Sequence, residues 1–282
     1  MSGVVWIDGS LQESALARIS PLDHGWTVGN GVFETLLSYD GALFAFTRHD
    51  QRLRRSAEVM GLAVPEAGVL REACQAVLSA NAWTNGRARV RITVTGGVAP
   101  LGSMRGDAPP TVVVAGMPVD AAAPWADVVV VPFTRNASGA LVGVKATSYG
   151  ENVVALAQAQ REGASEALFA NTDGFLCEGA GSNVFLVEAG VLHTPPLASG
   201  CLAGVTRALV LELAEERGLV VSLEPIPLAR LFAAEEAFLT STTREVQAIR
   251  KVDGQILREE EGPLTKDLRE AFCTLRDTTL DP

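Results

Sequence analysis

Four Asp-Gly pairs punctuate the chain, at Asp8-Gly9, Asp40-Gly41, Asp173-Gly174 and Asp253-Gly254. Asp-Gly is favoured where the centre of a tight hairpin turn needs positive φ. Each pair sits among short β-rich runs: Val4 to Ile7, Val32 to Tyr39 with Leu43 to Phe46, Glu166 to Ala170 with Phe175 to Glu178, and Val246 to Val252. The pattern predicts hairpins from one end of the chain to the other. More strands are expected at Leu16 to Ile19, Gly86 to Thr95, Val112 to Ala115, Asp127 to Val131, Ser182 to Val187, Val191 to Thr194 and Ala237 to Thr240. Helical spacing of apolar residues marks Val69 to Leu78, Glu151 to Gly163, Arg207 to Arg217 and Lys266 to Thr274, and Thr47 reads as the N-cap of one more helix. Strands interleaved with helices point to the α/β class.

The 282 residues allow two domains, and Asp120-Ala-Ala-Ala-Pro124 reads as a linker between 1–119 and 125–282. No apolar run approaches the ~18 residues of a spanning helix. The opening Met1 to Ser10 lacks a basic segment followed by an apolar one, so no secretory signal is expected. Cys74, Cys177, Cys201 and Cys273 show no metal-ligand spacing and read as reduced thiols of a cytoplasmic protein. A formal charge of −10 argues against nonspecific nucleic-acid binding, which needs a basic footprint.

Chemistry concentrates at Lys145. The chain has three lysines, Lys145, Lys251 and Lys266, and leaves its other cationic positions to arginine. Lys145 follows the apolar run Leu141-Val142-Gly143-Val144. A desolvated amine can lose its proton and attack a carbonyl, which a guanidinium cannot. A lysine at a strand end whose head reaches water is the other reading. Glu178 lies downstream on a short strand, ahead of Gly179-Ala180-Gly181-Ser182-Asn183, where glycines let backbone approach a ligand. Gly204-Val205-Thr206 opens a helix whose free amides suit a phosphate, or are ordinarily capped. Arg87, Arg89 and Arg91 alternate along one strand face, either for a carboxylate or as an exposed sheet face. The long loop Gly96 to Pro110 carries Arg105.

Lys145, then about thirty residues later Glu178-Gly-x-x-Ser182-Asn183-Val-Phe, resembles the signature of the fold-type IV pyridoxal-phosphate enzymes, the class IV aminotransferase family. Asp23-x-Gly25 with Gly29-Asn30-Gly31-Val32-Phe33-Glu34-Thr35 is similar to another segment of that family, with Asn30 in place of an aspartate. So are His49-x-x-Arg52-Leu53, Gly204-x-Thr206-Arg207 and the Ser241-Thr242 turn. The resemblance spans nearly the whole chain. It implies a two-domain architecture like that of D-amino-acid aminotransferase, with pyridoxal 5′-phosphate in the interdomain cleft. Lys145 is then the lysine bonded to the cofactor, and Glu178 faces the pyridine nitrogen. Arg52, Ser182, Asn183, Val205, Thr206, Ser241 and Thr242 are the other cofactor contacts, and a homodimer is implied. Arg52 read alone is equally a solvated helix residue among Arg48, Arg54 and Arg55, and His49 either orients it or packs.

Within that family the preferred reading is a lyase that releases pyruvate and 4-aminobenzoate from 4-amino-4-deoxychorismate, a folate-pathway step. Gly29 to Thr35 and the shortness of the chain favour it. Lys145-Ala-Thr-Ser-Tyr149 departs from the Lys-x-x-Asn of several lyases. The alternative is an aminotransferase for D-amino or branched-chain amino acids. A binding domain that kept the fold and lost the chemistry is the remote third reading. The substrate contacts expected are Arg105, for a carboxylate, and Tyr149, near the cofactor's phenolate oxygen.

Overall fold

The computed structural model describes residues 3–282. The chain divides into two compact units, Met1–Ala121 with Val144–Ser148 and Thr279–Pro282, and Ala122–Gly143 with Tyr149–Thr278. The boundary falls close to the linker read from the sequence. Lys145 does not stay with the second unit, where a single cut places it, because Val144–Ser148 packs with the first.

The first unit runs β1 (Val4–Ile7), β2 (Ser10–Glu13), α1 (His24–Thr27), β3 (Gly31–Tyr39), β4 (Ala42–Leu43), α2 (Phe46–Met60), α3 (Ala67–Ala80), β5 (Arg87–Thr95) and β6 (Val112–Pro118). Its six strands lie in the order β2-β1-β6-β5-β3-β4, all antiparallel. Period-two alternation on β5 buries Ala88, Val90, Ile92 and Val94 and leaves Arg87, Arg89 and Arg91 on the other face. The buried face meets Leu53 and Ala57 of α2 and Leu70 and Val77 of α3 in one core.

Two expectations fail here. Leu16 to Ile19 is not a strand. The Asp8-Gly9 turn is tight enough that Ser10–Glu13 pairs at once with β1, and the hairpin is complete before Leu16. Thr47 is not the N-cap of α2. The helix starts at Phe46, with Ala45 capping it in the left-handed conformation at φ 53°.

The second unit runs β7 (Trp125–Arg135), α4 (Gly150–Arg161), β8 (Glu166–Asn171), β9 (Leu176–Gly179), β10 (Asn183–Glu188), β11 (Val191–His193), α5 (Val205–Glu216), β12 (Val221–Ser222), β13 (Glu236–Ser241), β14 (Glu245–Val252), β15 (Gln255–Ile256) and α6 (Pro263–Thr278). Its sheet has the order β12-β11-β10-β13-β14-β7-β8-β9, with β15 on β14. The β7/β8, β7/β14 and β11/β12 pairs are parallel. Both faces are covered. Val128, Leu168, Leu186 and Leu239 enter one core, while Val129, Val131 and Phe169 meet Ala155 and Ala159 of α4 in another.

Three of the Asp-Gly pairs have both residues at positive φ: 45° and 99° at Asp8-Gly9, 47° and 83° at Asp40-Gly41, 48° and 75° at Asp253-Gly254. These are the signs of a type I′ hairpin turn. At the fourth pair only Gly174 is positive, at 81°, within a longer loop that Asn171 Oδ1 organises by accepting from the Asp173 and Phe175 amides. No described helix is long and apolar enough to cross a membrane.

Candidate active site

Lys145 is held against the start of β3. Its carbonyl accepts the Phe33 amide at 2.9 Å, and Thr147 N–H donates to the Gly31 carbonyl at 2.8 Å. The Lys145 amide donates to Ser56 Oγ of α2 at 3.1 Å. This close approach explains Gly29 and Gly31. A Cβ on Gly29 would lie 2.6 Å from Ser148 Oγ, and one on Gly31 would lie 2.9 Å from Thr147 Oγ1. The half-buried lysine sends its Nζ to 4.5 Å from the centroid of the Phe33 ring. Arg91 stacks on the same ring, Cζ at 3.6 Å. An amine and a guanidinium thus each lie against the same aromatic ring.

Behind β3 lies a buried polar network. Glu34 is fully buried; Arg52 of α2 donates to it twice, Nε to Oε1 at 2.6 Å and Nη2 to Oε2 at 2.8 Å, and His49 Nδ1 lies 2.7 Å from Oε2. Burial pushes the Glu34 carboxyl up, but Arg52 and then His49 outweigh burial and hold it well below the usual carboxylate range. Burial pulls the His49 imidazole down, Glu34 acts against that, and Arg52 and Lys145 add to it. His49 is therefore the neutral member and the carboxylate–guanidinium pair carries the charge. His49 meets Glu34, which in turn holds Arg52, so the imidazole reaches the guanidinium only through the shared carboxylate.

In the second unit Glu178 stands on β9, opposite Phe169. Its Oε2 accepts the Leu202 amide at 2.9 Å, and Arg135 Nε lies 3.3 Å from Oε1. Arg135 also stacks over Phe169 at 4.2 Å and donates to Glu151 at 3.0 Å. Ser182 and Asn183 are turned to the scaffold. Ser182 Oγ donates to Glu166 at 2.9 Å, and Asn183 Nδ2 donates to the Leu202 carbonyl at 2.9 Å. Their short polar side chains tie down the Gly179 to Ser182 turn and the loop that carries the Leu202 amide.

Tyr149 donates its hydroxyl to the Ala180 carbonyl at 3.2 Å, and Asn152 donates to the same oxygen. A phenolate oxygen needs a donor, and this proton is committed to Ala180. Arg105 is exposed and gives Nη1 to the Gly61 carbonyl at the end of α2, 3.1 Å away. One N–H of this guanidinium is therefore held at a helix terminus, where free carbonyls attract cations.

The residues fit a phosphate-bearing cofactor. α5 starts at Val205 with Gly204 as N-cap and no side chain bonded to its first amides. A Cβ at Gly204 would collide with Asn183 Oδ1, so glycine is required there. Val205 and Thr206 stand at this terminus, where free N–H groups and the helix dipole attract an anion. Ser241 ends β13 and Thr242 follows it, with Ser241 Oγ accepting the Arg244 amide at 3.2 Å. Beside them, Thr240 Oγ1 is buried without a partner.

The model of the amino-transferase class IV family matches residues 31–252. The chain belongs to the class IV aminotransferases. The branched-chain-amino-acid aminotransferase of Escherichia coli (strain K12) is 31% identical over 288 residues, covering 96% of this chain and 92% of that one. The branched-chain aminotransferase of the archaeon Thermoproteus uzoniensis, crystallised with norvaline, superposes with a TM-score of 0.91 at 31% identity, over 98% of this chain and 95% of that one. Another branched-chain amino acid aminotransferase, crystallised with pyridoxamine 5′-phosphate, gives 0.90 at 27% identity, over 97% and 93%. The cofactor of this class IV enzyme is pyridoxal 5′-phosphate, and the fold is that of the fold-type IV enzymes. Sequence reading singled out Lys145, Glu178 and Arg52 and did not name Ser56, Arg135 or the pairing of Glu34 with Arg52. Glu34 was visible as a carboxylate inside an apolar strand, which demands a partner.

Proposed function

We propose that this chain is an aminotransferase for α-amino acids with apolar, branched side chains. The observation that carries the reading is the shared ring of Phe33, with Lys145 Nζ at 4.5 Å and Arg91 at 3.6 Å. An α-amino acid has its carboxylate on the carbon that loses the proton. The receptor for that carboxylate must therefore stand near the base, and Arg91 and Lys145 each lie against the Phe33 ring. Aminodeoxychorismate carries its carboxylates away from the reacting carbon, and Arg105, the donor expected for one of them, is bonded to Gly61. The branched-chain enzymes among the relatives support the same choice over the lyase.

Bound pyridoxal 5′-phosphate supplies an electron sink for the carbon that loses its proton. Lys145 Nζ would hold the cofactor and would serve as the base for the Cα proton. Glu178, bonded to the Leu202 amide and 3.3 Å from Arg135, would face the ring nitrogen and hold its proton. Arg52, the α5 amides at Val205 and Thr206, and the Ser241-Thr242 turn bind the phosphate. Phe33 supplies an apolar wall.

A homodimer is part of the proposal. Leu22, Trp26, Val98, Leu101 and Met104 are exposed, Trp26 by 76% and Met104 by 86%. They lie on two segments joined by the Asp23/Val98 bridge and by the bond from His24 N–H to the Gly97 carbonyl. Apolar surface held in this way suits a second copy. Trp26→Glu with Met104→Asp should shift the sedimenting species toward monomer.

One preparation should be assayed three ways: keto-acid release from L-leucine and L-isoleucine, the same from D-amino acids, and 4-aminobenzoate release from aminodeoxychorismate. The first is expected to dominate. Fast 4-aminobenzoate release without transamination would restore the lyase.

A further inference from the structure

Helix α2 carries Arg52, His49 and Ser56, yet its own sequence caps it poorly. Ala45 offers no side chain to the first-turn amides and sits in the left-handed region, which disfavours residues with a Cβ. The missing acceptor comes from 234 positions away. Asp281 Oδ1 accepts the Thr47 amide at 2.8 Å, and Oδ2 accepts the Thr47 hydroxyl at 2.7 Å. Thr47 is the second residue of the helix, and its amide is one that an N-cap side chain ordinarily satisfies. The flanking contacts continue the match. The Ala45 amide donates to the Leu280 carbonyl at 2.7 Å, and Arg48 Nε donates to the Pro282 carbonyl at 2.7 Å. Arg71 of α3 donates to Asp281 Oδ2 at 2.9 Å while stacking over Phe46 at 4.2 Å. A carboxylate at this end of a helix also meets the positive end of its dipole.

We propose that Asp281 is a positioning residue that caps α2 in place of a local N-cap, and so, through His49 and Glu34, holds Arg52 ready for the cofactor phosphate. The coupling is short. His49 is two residues beyond Thr47 and bonds Glu34, Glu34 bonds Arg52 twice, and Ser56 on the same helix bonds the Lys145 amide. Fraying of the first turn loosens His49 first and then the pair that orients Arg52. The cofactor binds the ordered helix, so losing the cap weakens cofactor binding by part of the cap's worth.

The test titrates pyridoxal 5′-phosphate into the full-length protein stripped of cofactor, beside hydrogen exchange of the Thr47 to His49 amides. Asp281→Ala is expected to weaken cofactor affinity about fivefold and to speed exchange at those amides. Asp281→Asn, which keeps the acceptor and loses the charge, is expected to restore most of both, since asparagine caps as well as aspartate. A role confined to stability would lower the melting temperature in Asp281→Ala and leave affinity unmoved. Unchanged affinity, or an asparagine variant no better than alanine, overturns the proposal. Thr47→Val, which removes the hydroxyl bond alone, gives the same readout where Asp281→Ala does not fold. It is expected to fall between the wild type and Asp281→Ala, and wild-type affinity there would count against the cap.

Discussion

Glu34 and Glu178 each face an arginine. At Glu34 both oxygens are committed, to Nε and Nη2 of Arg52 and to His49, with no exposed surface. At Glu178 one oxygen takes a backbone amide at 2.9 Å, and Arg135 stands 3.3 Å from the other, with both side chains still touching solvent. The first carboxylate has no capacity left for a ligand and works as scaffold. The second meets a backbone amide and, at longer range, an arginine, and keeps contact with solvent. A carboxylate's chemistry is thus read less from its having a partner than from how much of it the partner consumes.

The largest effect should come from breaking the closed pair. Glu34→Gln leaves Arg52 buried beside a neutral amide, and removing one partner of a buried pair costs about 3–5 kcal/mol. Urea unfolding of the variant should show that loss, together with weakened cofactor binding. A change below about 1 kcal/mol, the scale of an exposed pair, would mean that Arg52 finds another acceptor and that the scaffold role is misassigned.

Glu178→Gln should do the reverse. Stability should hold, because the carboxylate is part-exposed and its amide contact survives in glutamine. Turnover should fall about 10²–10³-fold, the usual cost of one electrostatic partner in a reaction that develops charge. Arg135→Met should act in the same direction and more weakly, roughly fivefold, as expected for a part-exposed ion pair. Its sharper readout is the nitrogen-15 shift of the bound ring, which should move toward the unprotonated value in both variants. Full turnover in Glu178→Gln would remove the distinction between the two sites.

Much of this is legible in the sequence. The Asp-Gly pairs locate the hairpins, alternation in β5 separates its buried face from its arginine face, and the lysine and glutamate stand out by chemistry. What the sequence did not show has one physical cause. Thr47 does not act as the N-cap, and the side chains of Ser182, Asn183 and Arg105, read as contacts for a ligand, bond within the protein. Each is bonded instead to a partner distant in the chain: Thr47 to Asp281, Ser182 to Glu166, Asn183 to Leu202 and Arg105 to Gly61. Spacing along a sequence reports period and turn. It carries no information on which distant group receives a hydrogen bond.

The smallest expected effect is a pH slope, and it separates the two sites through His49. Burial, with Arg52 and Lys145, depresses its folded-state pKa below the ordinary 6.5, against the opposing pull of Glu34. The unfolded chain therefore binds a proton near pH 6.5 that the folded chain refuses. This contribution is fully present above the unfolded value and is lost as pH falls through the folded one, at up to about 1.4 kcal/mol per pH unit. Glu34 adds a second limb of the same sign below its ordinary 4.5, since its folded pKa is depressed too. His193, lowered by burial and by Arg230, contributes to the first limb, so the wild-type slope has two sources. His49→Gln retains an N–H for Glu34 and removes the titration. Between about pH 5 and 7, the range in which histidine titrates, its unfolding free energy should vary less steeply than that of the wild type, with His193→Gln removing the rest. An unaltered slope in His49→Gln would mean that the imidazole titrates alike in the folded and unfolded chains, and a steeper one that it is already charged in the folded protein. Glu34 would then face two cations, and the closed network would carry a net positive charge instead of being neutral.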